Sequence, residues 1–241
     1  MTKNEARNVP RAFASVPIGA RILVIDAQSH DGTASLARAR GADVIVRPWV
    51  GFVSTRAFAL GQVETPWTFM LDADESLDAR LATSLRAVEP PERTDAYEIA
   101  RATYFCGRPM RYGTWGAEAP IRLFRTAHAS VVAAPVAGGR AELHERWIVP
   151  GDVARLDGTL LHDSYPTVAA YREKFARYTA IEAGGTSPSA AVLVRAFALA
   201  LVRVPWYLVV RGGVRDGWRG VFIALASAWY PVAVAWKALR A

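Results

Sequence analysis

Residues 21 to 46 constrain the fold more than any other stretch of the chain. Arg21-Ile22-Leu23-Val24-Ile25-Asp26 is a short apolar run closed by an acid. That is the pattern of a strand buried on both faces, with Asp26 at its carboxyl end. Gln28-Ser29-His30-Asp31-Gly32 supplies residues that turn chains and cap helices. Thr33 to Arg40 then predicts a helix stopped by Gly41, and Ala42 to Val46 a second apolar strand. Strand, helix and strand at this spacing make a βαβ unit, which implies a parallel sheet and an α/β fold. In an open sheet of this class ligands gather beyond the carboxyl ends of the strands.

Asp72 marks a second such end. Trp67 to Leu71 predicts a buried strand that runs into Asp72-Ala73-Asp74-Glu75. Side chains two apart on an extended segment face the same way, so Asp72 and Asp74 can aim two carboxylates at one point. Hard oxygen donors in that arrangement suit Mg2+ or Mn2+ held jointly with substrate phosphates. The plainer alternative is a solvated turn with Asp74 near a helix N-cap. Asp26 and Asp72, at the ends of two strands, are expected to converge on one crevice.

Further on, Thr55 to Leu60 and residues 76 to 88 are expected to be helical. Tyr97 to Ala100, Thr103 to Phe105 and Ile121 to Phe124 are candidate strands around a Gly/aromatic loop, Gly107 to Gly116. Pro166 suits the first turn of a helix from Thr167 to Ala183. Gly184-Gly185-Thr186-Ser187-Pro188 reads as a linker, and two apolar segments follow, about 192 to 210 and 220 to 236. The expected organisation is an α/β domain over residues 1–165 and a helical, basic and apolar region over 166–241.

The tail also holds the charge. Residues 191 to 241 carry seven basic side chains against Asp216 alone, so +6 of the net +7 lies there. Leu, Val, Ala and Phe surround those bases, with Trp206, Trp218, Trp229 and Trp236 among them. Such a mixture suits an anionic membrane surface rather than nucleic acid. The two runs are near the spanning minimum of about 20 residues and carry Arg195, Arg203 and Pro231. They are expected to lie in the membrane plane. Met1 to Arg11 is polar and charged, unlike a secretory signal. The single Cys106 excludes a disulfide framework and a cysteine-based zinc site.

Several blocks occur in a telling order: Thr2-Lys3-Asn4-Glu5, Val24 to Thr33, Trp49-Val50-Gly51-Phe52, Leu71-Asp72-Ala73-Asp74-Glu75, Arg122-Leu123-Phe124-Arg125, Leu143-His144-Glu145-Arg146, Leu161-His162-Asp163-Ser164-Tyr165, and Arg211 to Trp218. With them the chain resembles the family 2 glycosyltransferases, whose fold is the GT-A fold with a Rossmann-like mixed sheet. It looks most like the small bacterial enzymes that add a sugar to the lipopolysaccharide inner core, the β-1,4-glucosyltransferase type.

The resemblance implies an inverting, metal-dependent transfer at the cytoplasmic face of the bacterial inner membrane. The donor would be a nucleoside diphosphate sugar and the acceptor a lipid-linked saccharide. Glu5, Asp26, Ser29, Asp31, Arg56 and Asp72 would line the nucleotide-sugar site, and Asp72, Asp74 and His144 would hold Mg2+ or Mn2+, with His162 the rival to His144. Glu118 would be the catalytic base. It stands a few residues before Arg122-Leu123-Phe124, where the family carries Asp, so the carboxylate sits one methylene further out. In the family an interior strand precedes the Thr-x-Asn-Glu block. Here the block begins at residue 2, which implies either a translation start upstream of Met1 or a damaged protein. Transfer to polyprenyl phosphate, or an inactive nucleotide-sugar-binding membrane protein, are the alternatives.

Overall fold

A computed structural model describes residues 1–133 and 145–240 of the chain. Its elements, in order, are α1 (Val9–Ser15), β1 (Leu23–Asp26), α2 (Thr33–Arg38), β2 (Asp43–Val46), α3 (Phe52–Leu60), β3 (Trp67–Phe69), β4 (Glu75–Leu77), α4 (Ala79–Ala87), β5 (Thr94–Phe105) and β6 (Arg108–Pro109). Then come β7 (Ile121–Arg125), β8 (Ser130–Ala133), β9 (Glu145–Ile148), β10 (Asp152–Tyr165), α5 (Val168–Ala183), α6 (Ala190–Pro205) and α7 (Trp218–Ala238). The mixed α/β class and the helical tail expected from the sequence are both present.

The βαβ unit forms as its pattern implies. β1 and β2 pair in parallel from Leu23 with Asp43 to Asp26 with Val46. Val24 and Ile25 are buried, and Val24 packs with Ala37 of α2 and Val9 of α1. The larger sheet runs in the order β3-β7-β5-β10-β4, with β6 on β5. Here β3 pairs antiparallel with β7, β7 with β5, and β4 with β10, in contrast to the parallel pair β1 and β2. β8 and β9 form a separate antiparallel pair.

Three expectations change. Residues 75 to 77 are a strand and not the start of a helix, because they pair with Leu160 to His162 of β10. Helix α4 begins only after Asp78, whose carboxylate accepts the Leu81 amide at 2.7 Å. The two strands expected between Tyr97 and Phe105 are one continuous strand, β5. Pro166 precedes the cap of α5, where Thr167 accepts the Ala170 amide at 3.1 Å, so it lies outside the first turn.

The chain divides into two compact units. The first draws on Met1–Arg101, on β7 to β9, and on β10 as far as His162. Its core gathers Leu77, Leu81, Tyr97, Ile99, Leu123, Leu156 and Leu160 between the large sheet and α4. Gly158 lies where a Cβ would strike the Leu81 backbone at 2.3 Å, and its φ of +110° suits glycine alone.

The second unit draws on Ala102–Glu118 and on the chain from Asp163 onward. Phe105, Met110, Tyr171 and Ile223 form its core, with Trp115, Tyr165 and Phe222 packed around them. Helix α7 therefore belongs to a folded body. The Asp216 carboxylate accepts the amides of Arg111 and Tyr112 at 3.0 and 2.9 Å. The Gly113 amide donates to Arg211 O at 2.8 Å, and Arg219 donates to the carbonyls of Phe105 and Cys106. The block Arg211 to Trp218 is thus a clasp on the Gly/aromatic loop. Residues Ala190–Val210 and Trp218–Ala238 are each 21 residues and apolar enough to cross a membrane, with mean hydropathies of 1.8 and 1.4. Val194, Leu201, Val202 and Val209 are among the side chains they leave exposed.

Candidate functional site

The site is built where β3 ends. The strand stops at Phe69, and residues 72 to 74 form a turn into β4, closed by the Glu75 amide donating to Asp72 O at 3.0 Å. The extended alternation that would aim Asp72 and Asp74 together is therefore absent. The two carboxylates keep different company.

Asp72 sits between two buried guanidiniums. Arg56 Nη2 donates to its Oδ1 at 3.1 Å and Arg122 Nη2 to its Oδ2 at 3.2 Å. Burial alone would push the Asp72 carboxyl up, but Arg56 and Arg122 outweigh it and hold it down at about 2. Arg122 also donates to Glu75 Oε1 at 2.7 Å, and Glu75 is completely buried. Arg101 approaches the same carboxylate at 3.5 Å, and the Asp72 amide donates to its other oxygen at 3.1 Å. Burial opposes the charge on Arg122, but Glu75 and Asp72 raise its pKa well beyond the usual value. Arg56 reaches Glu145 at 2.8 Å as well. The Nε atoms of Arg56 and Arg122 are buried and have no hydrogen-bond partner among the described residues.

Local structure explains these positions. On β7, Arg122 and Phe124 share one face and Leu123 takes the other. Leu123 enters the core with Tyr97 and Leu160, while Phe124 packs on Ala96 and Trp147. The strand thereby carries a guanidinium inward, where only a paired charge is tolerable. Arg56 lies on the buried face of α3 beside Thr55.

Asp74 meets a histidine. Its Oδ2 lies 3.4 Å from His162 Nε2, and its carbonyl accepts Arg11 at 3.1 Å. His162 is placed by its pairing with Glu75 across β10 and β4. As a donor set, Asp74 and His162 fit Mg2+ or Mn2+ completed by diphosphate oxygens, since such ions take one or two carboxylates plus substrate phosphates. Asp72, also expected as a ligand, is here held by Arg56 and Arg122. Among the described residues no group of three or more His, Cys, Asp or Glu could hold a metal alone. His144 lies outside the described residues.

The first loop is a hydrogen-bonded knot. Asp26 is buried and accepts from Thr2 Oγ1 at 2.8 Å and from the Ser29 amide and hydroxyl at 2.8 and 2.6 Å. Ser29 Oγ accepts the Asn4 amide at 2.8 Å. Asp31 accepts the Ala6 amide at 3.0 Å and both the amide and hydroxyl of Thr33. Desolvation pushes its carboxyl up, but these hydrogen bonds win and hold it below the ordinary value. Glu5 accepts from the Asn8 side chain at 2.7 Å. Glu118 follows Ala117, whose φ is +61°, and belongs to the second unit.

No family model matches the chain. Part of it is similar to curated proteins. An uncharacterized glycosyltransferase of Rickettsia bellii (strain RML369-C) is 36% identical over 98 residues, 40% of this chain and 33% of that protein. One from Mycobacterium tuberculosis (strain ATCC 25618 / H37Rv) is 40% identical over 76 residues, 32% of this chain and 35% of that protein. The chain thus spans about a third of the length of the curated relatives it matches. Among solved structures, the mannosyltransferase PcManGT from Pyrobaculum calidifontis in complex with GDP-Man and Mn2+ aligns over 99% of this chain and 85% of that one. The TM-score is 0.49 and the identity 15%, a likeness too slight to argue from.

Arg122, Glu75, Arg101 and Arg11 were not expected in the site. Arg122 and Glu75 stand inside the quoted blocks, and a charge set within an apolar strand pattern is the signal that marks Arg122.

Proposed function

We propose that the chain is a GT-A glycosyltransferase that takes a nucleoside diphosphate sugar and passes the sugar, with inversion, to a lipid-linked saccharide such as lipopolysaccharide core. The observation that carries this reading is the pair of buried guanidiniums around Asp72 at the end of β3. Local similarity to proteins called glycosyltransferases supports it.

In this mechanism Arg56 and Arg122 turn toward the diphosphate as it binds, and the carboxylates of Asp72 and Glu75 keep both guanidiniums extended. A divalent ion on Asp74 and His162 would offset charge on the departing diphosphate. Glu118, assigned by its place before Arg122-Leu123-Phe124, takes the proton from the acceptor hydroxyl. The new C–O bond then forms opposite the one that breaks. The exposed apolar faces of α6 and α7 and the basic tail hold the protein at the cytoplasmic face of the inner membrane as a peripheral protein.

Titration calorimetry with uridine and guanosine diphosphate sugars tests the site. Binding that needs Mn2+ and is lost in Asp74→Ala supports the reading. Binding unchanged in that variant removes the metal role, and failure of every donor to bind the unaltered chain overturns the function.

One observation favours a second reading, transfer to polyprenyl phosphate. Both tail segments reach the length needed to span a bilayer. A product with the sugar on a lipid phosphate, in place of a new glycosidic link, would select it.

A further inference from the structure

Helix α6 and the turn after it present an apolar stripe to the outside. Val194, Phe197, Leu201, Val202, Trp206 and Val209 are exposed at helical spacing along Ala190–Val210. The other side is covered, with Ala196 and Ala200 packed on Ala228, Val232 and Ala235 of α7. Both helices belong to the second unit. The end of α6 is irregular. Pro205 carries no amide hydrogen and cannot close the usual turn onto Leu201. Trp206–Val210 continue as a π-helix, where the Arg211 amide donates to Trp206 O, five residues back, at 2.9 Å. Wide turns of this kind recur at functional sites.

A groove of about 470 Å3 opens in the stripe at this turn, lined by Val202, Arg203, Pro205, Trp206, Val209 and Val210. Small-ligand sites span about 300–1,000 Å3. Arg203 brings a positive charge to a lining that is otherwise apolar. Among the described residues its guanidinium has no ion-pair partner, and residues 190 to 215 contain no Asp or Glu. An apolar helix from a second copy of the chain would bury that charge unpaired, which is costly. A molecule with both a hydrocarbon chain and an anion satisfies the groove and the guanidinium together. Trp206, half exposed between them, is a side chain suited to an apolar–polar boundary.

We propose that this groove holds one membrane glycerophospholipid of net negative charge, its acyl chain along Val202, Val209 and Val210 and its phosphate on Arg203. The site rests on the membrane reading of the tail and is independent of sugar transfer. One seated lipid fixes the roll of α6 about its own axis, which the diffuse attraction of a basic tail cannot do.

Titration calorimetry of the full chain with lipid monomers, kept below the concentration at which they form micelles, tests the site with no bilayer present. Dihexanoyl phosphatidylglycerol should bind one to a chain. Glycerol phosphate, which lacks the chains, and dihexanoylglycerol, which lacks the phosphate, should each bind at least about tenfold more weakly. Arg203→Gln should lower affinity about tenfold, the worth of one charged hydrogen bond, and Val209→Ser should lower it as well. Arg195→Gln removes the same charge elsewhere on α6 and should leave affinity unchanged. Val209 and Arg195 are exposed, so neither variant threatens the fold. Equal losses in Arg203→Gln and Arg195→Gln overturn the site in favour of unspecific attraction. Tighter binding of farnesyl phosphate overturns the choice of lipid, and a dimer that Val209→Ser dissociates puts a second copy in the groove instead. Binding retained by a chain that fails to float with liposomes supports the site and counts against surface attachment alone. A chain that floats and binds no monomer overturns the site.

Discussion

Arg122→Met tests the buried charge network directly. The Arg122 and Glu75 side chains are 4% and 0% exposed and 2.7 Å apart. Methionine keeps most of the length and none of the charge, leaving Glu75 buried without its nearest cation. Breaking a buried pair from one side costs about 3–5 kcal/mol. Arg101 at 3.5 Å and the Asp72 amide at 3.1 Å remain with Glu75, so the lower end, about 3 kcal/mol, applies. For a chain of this size each kcal/mol is worth about 2–4 °C, so Tm should fall by about 6–12 °C. Differential scanning calorimetry measures it. The double variant Arg122→Met/Glu75→Gln removes the stranded charge and keeps an acceptor for the Asp72 amide. It should recover at least half of the loss. A single variant within about 2 °C of the unaltered chain, or a double variant with no recovery, would refute the view that an unpaired Glu75 is the source of the cost.

Asp72 predicts an acid limb. Its pKa is depressed to about 2 from 3.8, so its stabilisation is full above about pH 4 and lost as pH falls through 2, an amount of about 2 kcal/mol. Asp72→Asn should lack this at pH 7 and match the unaltered chain near pH 2, as acid unfolding curves can show. Glu118→Gln keeps size and loses basicity, so transfer should fall about 10²-fold or more at near-normal donor affinity; retained activity in a radiolabelled transfer assay sends the search to Glu145 or Asp163. Changing Val194, Leu201, Val202 and Val209 together to Ser should reduce flotation of the full chain with anionic liposomes, and high salt should weaken it further. Equal flotation by both proteins removes the membrane role proposed for Ala190–Val210. A chain ended at Gly184 is no substitute test, because Ile223 and Phe222 of α7 pack with Phe105 and Tyr171.

The sequence revealed elements with strong local pattern and hid those that depend on partners. β1, α2 and β2 were legible because each has an apolar run and a stop signal of its own. β4 was not, since Glu75-Ser76-Leu77 is too short for a period and becomes a strand only by pairing with β10. β10 itself passed unnoticed, because it is 14 residues long with few buried positions and weak alternation. Asp26 and Asp72 stood out as acids after apolar runs. Arg122 did not, because a single-sequence pattern treats a basic residue in a strand as outward-facing until Glu75 is known to lie opposite. The turn at Asp72 to Asp74 is the plainer alternative the sequence allows, and nothing in the local pattern chooses it over extended geometry. The choice depends on where the ladder with β7 ends, at Phe69, which only the pairing shows.

The Asp216 clasp has a mechanical consequence. A carboxylate at the start of α7 grips two amides of the loop that leads to Glu118, and Arg219 grips the strand before it. Loop and tail are therefore tied at several points along their length. The contacts stop at Tyr112 and Gly113, five residues before Glu118. Asp216→Ala would remove two of these grips and leave the Gly113 amide on Arg211 O and Arg219 on Phe105 and Cys106 as the ties between loop and tail.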